Sequence, residues 1–266
     1  MGQSRPHKIA RLLLALAADP IGVGRTLPGL IVQRRAAEQH YDVDEAWEEH
    51  LHGLLGAPWP CPQGPLADEL VADIGTVLAA AGLGYGRHTY GCYSDADRSL
   101  CRAVWCTVLH TEPEVVIETG VAHGVTSRIV LEALHRNDRG HLSSIDLPYP
   151  LDSRLRETTG AAVPAALRTR WSYLEGSSKQ LLPPLVAKVG HVEVFIHDSL
   201  HTARNTVFEM DRAASAMPAE GVMIVDDIRL HQGFATFARR HPGYQTLVCP
   251  SADRLGMFGI AVNSGL

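Results

Sequence analysis

The stretch VVIETGVAHGVTS, Val115 to Ser127, decides the fold. A β-branched apolar run ends on Glu118, and Gly120 and Gly124 follow before helical periodicity resumes in VTSRIVLEALHRN. Such a run reads as a strand buried on both faces that enters a helix through a tight turn. In doubly wound sheets, ligands bind at the carboxyl ends of these strands. Glycines there let the backbone pass close to a ligand, and the helix start offers free N–H groups. The spacing Glu-x-Gly-x-x-x-Gly is not the GxGxxG fingerprint, which disfavours a nicotinamide cofactor. A carboxylate at that edge suits hydroxyl donors or a cationic group better than a pyrophosphate. Taken alone, the motif reads equally well as a structural turn.

Outward from this turn, short apolar runs alternate with helical patterns from Thr111 onward: HLSSIDL, WSYLEG, SKQLLPPLVAKV, VEVFIHD, TARNTVFEMDRAASAM and GVMIVDD. That alternation predicts a parallel sheet covered by helices. YQTLVCP and RLGMFGIAVN break it, having only a short polar loop between them, so they should pair antiparallel. Upstream, DVDEAWEEHLHGLLG closes on Gly56 and PLADELVADIGTVLAAAGLG ends at Gly82, both read as helices joined by the turn-rich GAPWPCPQGP. The loop GLGYGRHTYGCYSDAD carries Tyr85, His88, Tyr90 and Tyr93 as a candidate lid, with Ser94 or Asp95 capping the next helix. The first twenty residues read as an amphipathic helix rather than a signal sequence, because Arg11 interrupts the apolar run. The expected fold class is α/β, a Rossmann-like sheet with a terminal antiparallel hairpin and an N-terminal helical extension. Residues 1–110 form the extension or lid, and residues 111–266 the catalytic domain.

Composition narrows the partners. The chain has 266 residues, 45% hydrophobic and 20% charged, as expected of a globular protein. A formal net charge of -5 provides no basic field for nucleic acid. No run approaches the ~20 apolar residues of a membrane span, and a cytoplasmic location is expected. Cysteines 61, 92, 101, 106 and 249 contain no CxxC pair, so reduced thiols are expected rather than a disulfide framework or a zinc ribbon. Lys8, Lys179 and Lys188 are the only lysines, which leaves few candidate amine bases.

Three further strand ends are acidic. HLSSIDLP places Asp146 at the tip of the second strand, where a ribose diol would be held. VFIHDSLH ends on His197, Asp198 and His201, and VMIVDDI on Asp226 and Asp227. If the last two strands are neighbours, three carboxylates converge, which is costly unless a cation neutralises them. Hard oxygen ligands select Mg²⁺, Mn²⁺ or Ca²⁺ over zinc. The pair His197 and His201 lacks the glutamate of HExxH, which argues against a zincin. Arg204, Asn205, Arg229 and His231 read as solvated helix ends more readily than as substrate contacts.

With these residues in place, the chain resembles the class I S-adenosylmethionine-dependent methyltransferases over roughly residues 111 to 262. The glycine-bearing turn matches at Glu118, Gly120 and Gly124, the acidic ribose position at Asp146, and the terminal hairpin is typical of the family. The resemblance implies that Gly120, Ala122, Ser127 and Asp198 lie around the methionine portion of the cofactor, and Gly176 and Ser177 near the adenine. The acidic ends resemble the metal-dependent O-methyltransferase branch, closest to macrolide deoxysugar O-methyltransferases and cephalosporin hydroxylase-like proteins. That implies a metal held by Asp198, Asp226 and Asp227, with Asp198 or His201 as the base. The segment Asp198-Ser199-Leu200-His201 departs from the sugar pattern toward the Asp-x-x-His form of the hydroxylase-like relatives.

The resulting expectation is methyl transfer from S-adenosylmethionine, aided by Mg²⁺ or by Mn²⁺ or Ca²⁺, to a hydroxyl of a sugar, oligosaccharide or glycosylated metabolite. A phenolic or polyketide acceptor and a non-catalytic cofactor-binding partner protein stand as alternatives. The N-terminal helices could cover the site, mediate a homo-oligomer, or both.

Overall fold

The structure, a computed structural model, describes residues 40–90, 93–147 and 154–265. The N-terminal stretch read as an amphipathic helix, and Cys92, lie outside the described residues. Three helices come first: α1 (Trp47–Leu54), α2 (Gly64–Ala80) and α3 (Arg98–Thr111). The alternating part follows as β1 (Val115–Thr119), α4 (Val125–Arg136), β2 (His141–Asp146), α5 (Arg154–Thr158) and β3 (Trp171–Glu175). It continues with α6 (Ser178–Val189), β4 (Val194–His197), α7 (Ala203–Ala214), β5 (Val222–Val225), α8 (Gly233–Arg240), β6 (Tyr244–Pro250) and β7 (Met257–Asn263).

The strands form one seven-stranded sheet in the order β3-β2-β1-β4-β5-β7-β6. β1 to β5 pair in parallel, whereas β7 runs antiparallel to both β5 and β6, as the short loop between them predicts. The chain order reverses between β1 and β4, so the cleft at that point opens above their carboxyl ends.

Period-two alternation sorts each strand's side chains onto two faces. Val116, Val194, Ile196, Val222 and Ile224 join a core with α1, α2, α3 and α4. Ile117, Phe195, Met223 and Val225 face the other way, onto α6, α7 and α8. Both faces are covered, which is why β4 and β5 read as unbroken apolar runs. β3 lies at the sheet edge, and its Ser172, Tyr173 and Glu175 are exposed.

The N-terminal helices are a structural layer of the sheet. Trp105 on α3 is buried in the shared core and donates its indole N–H to the Gln63 carbonyl at 3.0 Å. α3 is capped by Asp97, whose Oδ1 accepts from the Leu100 amide at 2.9 Å, and not by Ser94 or Asp95. Asp95 is taken up by the preceding loop, where it accepts from the Gly86 amide at 3.0 Å and the Thr89 hydroxyl at 2.5 Å. α5, α8 and the short 3₁₀ turns Ala165–Arg170 and Ile228–Leu230 are additions to the expected alternation.

At the β1 turn, Gly120 has φ +89°, and a Cβ placed there would lie 1.9 Å from the Asp198 carbonyl oxygen. Gly124 has φ +82°, and its Cβ would lie 2.8 Å from the Gly160 Cα. Both clashes are with backbone, so neither is relieved by a side-chain rotation. Gly120→Ala should lower the unfolding free energy by about 3 kcal/mol through strain and displacement of the β4 end. Denaturant unfolding monitored by circular dichroism checks this, with the unhindered Gly53→Ala as control.

Candidate functional site

The cleft above β1, β4 and β5 is a cavity of about 1070 Å³. Gly120, Ala122, Asp146, Gly176, Ser177 and Asp198 line one part of it. His201, Asp226 and Asp227 line another, and the loop bearing Tyr85, His88, Tyr90 and Tyr93 faces them. The Tyr85 hydroxyl donates to the Ala96 carbonyl at 2.9 Å, and that of Tyr90 to the Leu155 carbonyl at 3.0 Å. These tyrosines thus line the cavity while their hydroxyls hold the loop in place. The Asp97 carboxylate accepts from the Ala252 amide, and Arg87 pairs with Asp253 at 3.1 Å, joining the loop to the β6–β7 connection.

Glu118, Gly124 and Ser127 are absent from the cavity lining. Glu118 is fully buried below the turn, and its Oε2 accepts from the Ser127 and Ser144 hydroxyls, both at 2.6 Å. Ser144 in turn accepts from the Trp171 indole at 2.9 Å. The Glu118 Oε1 has no partner, and burial raises the carboxyl to about 7 against the two serine hydrogen bonds. Asp146 also has one orphaned oxygen, Oδ2, and burial raises it to about 7 although the Val121, Leu147 and Ala122 amides favour its charged form. Asp146 does face the cavity, so its free oxygen is an acceptor waiting for a hydroxyl donor.

β4 and β5 are paired with His197 opposite Val225, and the next residue of each chain is an aspartate. Asp198 and Asp226 are therefore neighbours, and an oxygen of each lies within 4.8 Å of one of the other. Burial first, and then the charge of Asp226 on Asp198 and of Asp227 on Asp226, raises both far above the ordinary carboxyl range. His201 completes the group: one ligand atom each from Asp198, His201 and Asp226 lie within 4.8 Å of one another. Its Nε2 is 3.7 Å from Asp198 Oδ1 and 3.7 Å from Asp227 Oδ2. The third member of the tight cluster is thus His201 rather than Asp227, which is more exposed at the rim. The reason is local: Asp227 sits at φ +51° at the start of a 3₁₀ turn, which points the chain away after Asp226.

His197 faces into the protein. Its Nδ1 lies 2.6 Å from Glu209 Oε2, which also accepts from the Thr119 hydroxyl at 2.6 Å. Burial pushes the Glu209 carboxyl up, but the His197 ring and the surrounding hydroxyl donors outweigh it and hold it at about 2. On the other side, His197 Nε2 is 2.9 Å from the Thr206 hydroxyl, which is 3.1 Å from His231 Nε2. The Gly233 amide donates to His231 Nδ1 at 3.1 Å, so the proton of that ring sits on Nε2. Asn205 and His231 are both buried in this network and are not solvated helix ends. Glu209, Thr206 and Thr119 escaped sequence reading because they occupy positions on α7 and β1 that periodicity assigns to the core. A buried acid one turn after Asn205 was the available signal.

Residues 117–228 match the family model described as Methyltransferase domain. Sheet order and cleft together give the chain the fold of solved O-methyltransferases that hold SAM or SAH. Among solved structures, the chain is similar to the O-methyltransferase from Bacillus cereus in complex with SAH. That match has 15% identity, a TM-score of 0.55, and covers 82% of this chain and 97% of the other. It is also similar to the O-methyltransferase TomG from Streptomyces achromogenes, involved in tomaymycin synthesis and in complex with SAM. Here identity is 13% and the TM-score 0.56, over 74% of this chain and 90% of the other. Cofactor-bound Rv0187 from MTB is 16% identical, with a TM-score of 0.53, over 86% and 100% of the two chains. No curated protein matches the chain in sequence.

Glu118 yields a prediction whose sign follows from its raised pKa. A carboxyl at about 7 in the fold and near 4.5 when unfolded contributes stability below pH 4.5 that is lost as pH rises through 7. Glu118→Gln mimics the protonated form, so at pH 8 the ligand-free variant should be more stable than the parent by about 2 kcal/mol. Urea unfolding at pH 4.5 and 8 checks this, and the gap between the proteins should nearly close at the lower pH.

Proposed function

We propose that the chain is an O-methyltransferase that carries a divalent cation beside its S-adenosylmethionine site and methylates one hydroxyl of a vicinal diol on a sugar or glycosylated metabolite. The observation that carries this reading is the pair of neighbouring carboxyl groups of Asp198 and Asp226 with His201, at the edge of a cavity large enough for a cofactor and an acceptor.

The residues fit both groups. Asp146 offers an orphaned buried oxygen to a ribose hydroxyl, and the turn at Gly120 and Ala122 brings backbone to the cavity wall. Gly176 and Ser177 supply the wall beyond β3. When bound, the cofactor supplies an electrophilic methyl on a sulfonium. Asp198, Asp226 and His201 would hold the cation, with Asp227 at the rim, and it would supply Lewis acidity toward an acceptor hydroxyl. Two carboxylates favour Mg²⁺ or Mn²⁺, and one imidazole tips the choice toward Mn²⁺.

The chain's own residues contribute charge and position. Asp198 and Asp226 would be kept ionised beside the cavity by a cation between them. Burial lowers the His201 pKa, although the Asp227 carboxylate works against that shift, so the neutral ring has a nitrogen lone pair to offer a proton or a cation. The tyrosine-bearing loop closes one side and limits water, and alignment of a hydroxyl in such a space is worth ~7 kcal/mol or more. Lysine is missing from this part of the lining except for Lys179, so an amine base near the acceptor has no candidate on β4 or β5.

The test is transfer of labelled methyl from S-adenosylmethionine to a panel of glycosides, phenols and polyketides. Chelation and Asp226→Asn should each lower turnover by about 100-fold or more, while S-adenosylhomocysteine binding by calorimetry is retained in Asp226→Asn. Full turnover in chelated protein would remove the cation from the reading. Preference for phenols over glycosides would replace the acceptor.

A further inference from the structure

Outside the cavity lining, three segments of the N-terminal layer bring two cysteines and two histidines near one another. Cys61 lies in the connector between α1 and α2, His52 on α1, and Cys106 and His110 one turn apart on α3. Cys61 Sγ is 3.8 Å from Cys106 Sγ and 3.3 Å from His110 Nε2. One ligand atom each from His52, Cys61 and His110 lie within 4.8 Å of one another. Cys106 stands outside that group and meets it through Cys61. From these contacts we infer that His52, Cys61 and His110 form a structural zinc site that Cys106 completes by turning its thiol inward.

The spacing matches that metal. Bonds of ~2.3 Å to sulfur and ~2.0 Å to nitrogen at tetrahedral angles set sulfur–sulfur edges of about 3.8 Å and sulfur–nitrogen edges of about 3.5 Å. Both measured separations fall close to those edges. A second, independent observation comes from His52, which is 1% exposed. Its Nδ1 lies 2.5 Å from the Glu48 carbonyl oxygen, which can only accept, so Nδ1 carries the proton and Nε2 carries the lone pair. That Nε2 is buried and has no partner. A histidine held by a backbone carbonyl with its other nitrogen free is how proteins orient a metal ligand.

The donor set decides which ion. Two thiolates and two imidazoles in a tetrahedral group select zinc, and four protein ligands leave no open position, which makes the site structural rather than catalytic. On binding, each thiol gives up its proton to solvent, and two thiolates balance the charge of the ion, so the filled site is neutral. Cys61 and Cys106 are both buried, while half-buried His110 leaves a route for entry. The ion would tie α1, the connector and α3 together under the layer that supports the tyrosine loop. This site is independent of the methyl-transfer reading. It escapes sequence inspection because its cysteines are neither paired as CxxC nor adjacent.

The test begins with the full chain purified without chelator and analysed for metal. About one zinc per chain is expected, and Cys61→Ser and Cys106→Ser should each weaken zinc retention at least ~10-fold, whereas Cys249→Ser should not. Should those variants fail to fold, chelated parent protein refilled with Co²⁺ gives the answer directly. Tetrahedral ligand-field bands with a thiolate-to-cobalt charge-transfer band support the site. Cobalt spectra without the charge-transfer band overturn it. A mass two hydrogens low, with Cys61 and Cys106 joined as a disulfide, overturns it as well.

Discussion

Two backbone hydrogen bonds extend the parallel ladder one residue past its last apolar pairs. The Asp198 amide donates to the Thr119 carbonyl at 2.8 Å, and the Asp226 amide to the His197 carbonyl at 2.9 Å. They fix both aspartates side by side at the end of the sheet that floors the cavity. Like charges about 4 Å apart repel by roughly 4 kcal/mol at the effective dielectric of a protein. Such a pair persists only with a shared proton or a cation between the groups. Gly120 passes so close to the Asp198 carbonyl that β1 and β4 are locked at the same level. The cleft, its acidic floor and its glycine turn are thus one construction.

Below this floor lies a second polar layer that the reading of strand ends did not reveal. Glu209 gathers His197, Thr119, Ser199 and Asn205 around one carboxylate, and Thr206 passes the network on to His231. A charged group in that position is tolerated because its oxygens have several donors. Since His197 and Ser199 flank Asp198 in the chain, the network holds the β4 end from beneath. The orphaned Nδ1 of His201 marks where this ordering stops and the cavity begins.

Much of the fold was legible because it rests on periodicity. The apolar runs at 115–119, 194–197 and 222–225 are buried on both faces, and the missing helix before β7 shows as a missing helical pattern. The site was legible in part. Strand-end acids announce themselves because an apolar run has no other reason to stop on Asp198 or on Asp226 and Asp227. Which of them converge depends on backbone turn geometry, and the left-handed Asp227 exchanged its place for His201. Glu118 was read as a ligand group, yet its surroundings include Ser144 on the neighbouring strand and, through it, Trp171 two strands away. The Asp97 cap over Asp95 likewise depends on a loop closed by tertiary contacts.

The most direct test of the convergence at the ends of β4 and β5 is Mn²⁺ binding followed by electron paramagnetic resonance, in the presence of S-adenosylhomocysteine. One bound Mn²⁺ per chain, displaced by Mg²⁺ and lost in Asp198→Asn, is the expected result. A spectrum of free Mn²⁺ alone, across concentrations that saturate ordinary divalent sites, would contradict a cation held between these carboxylates.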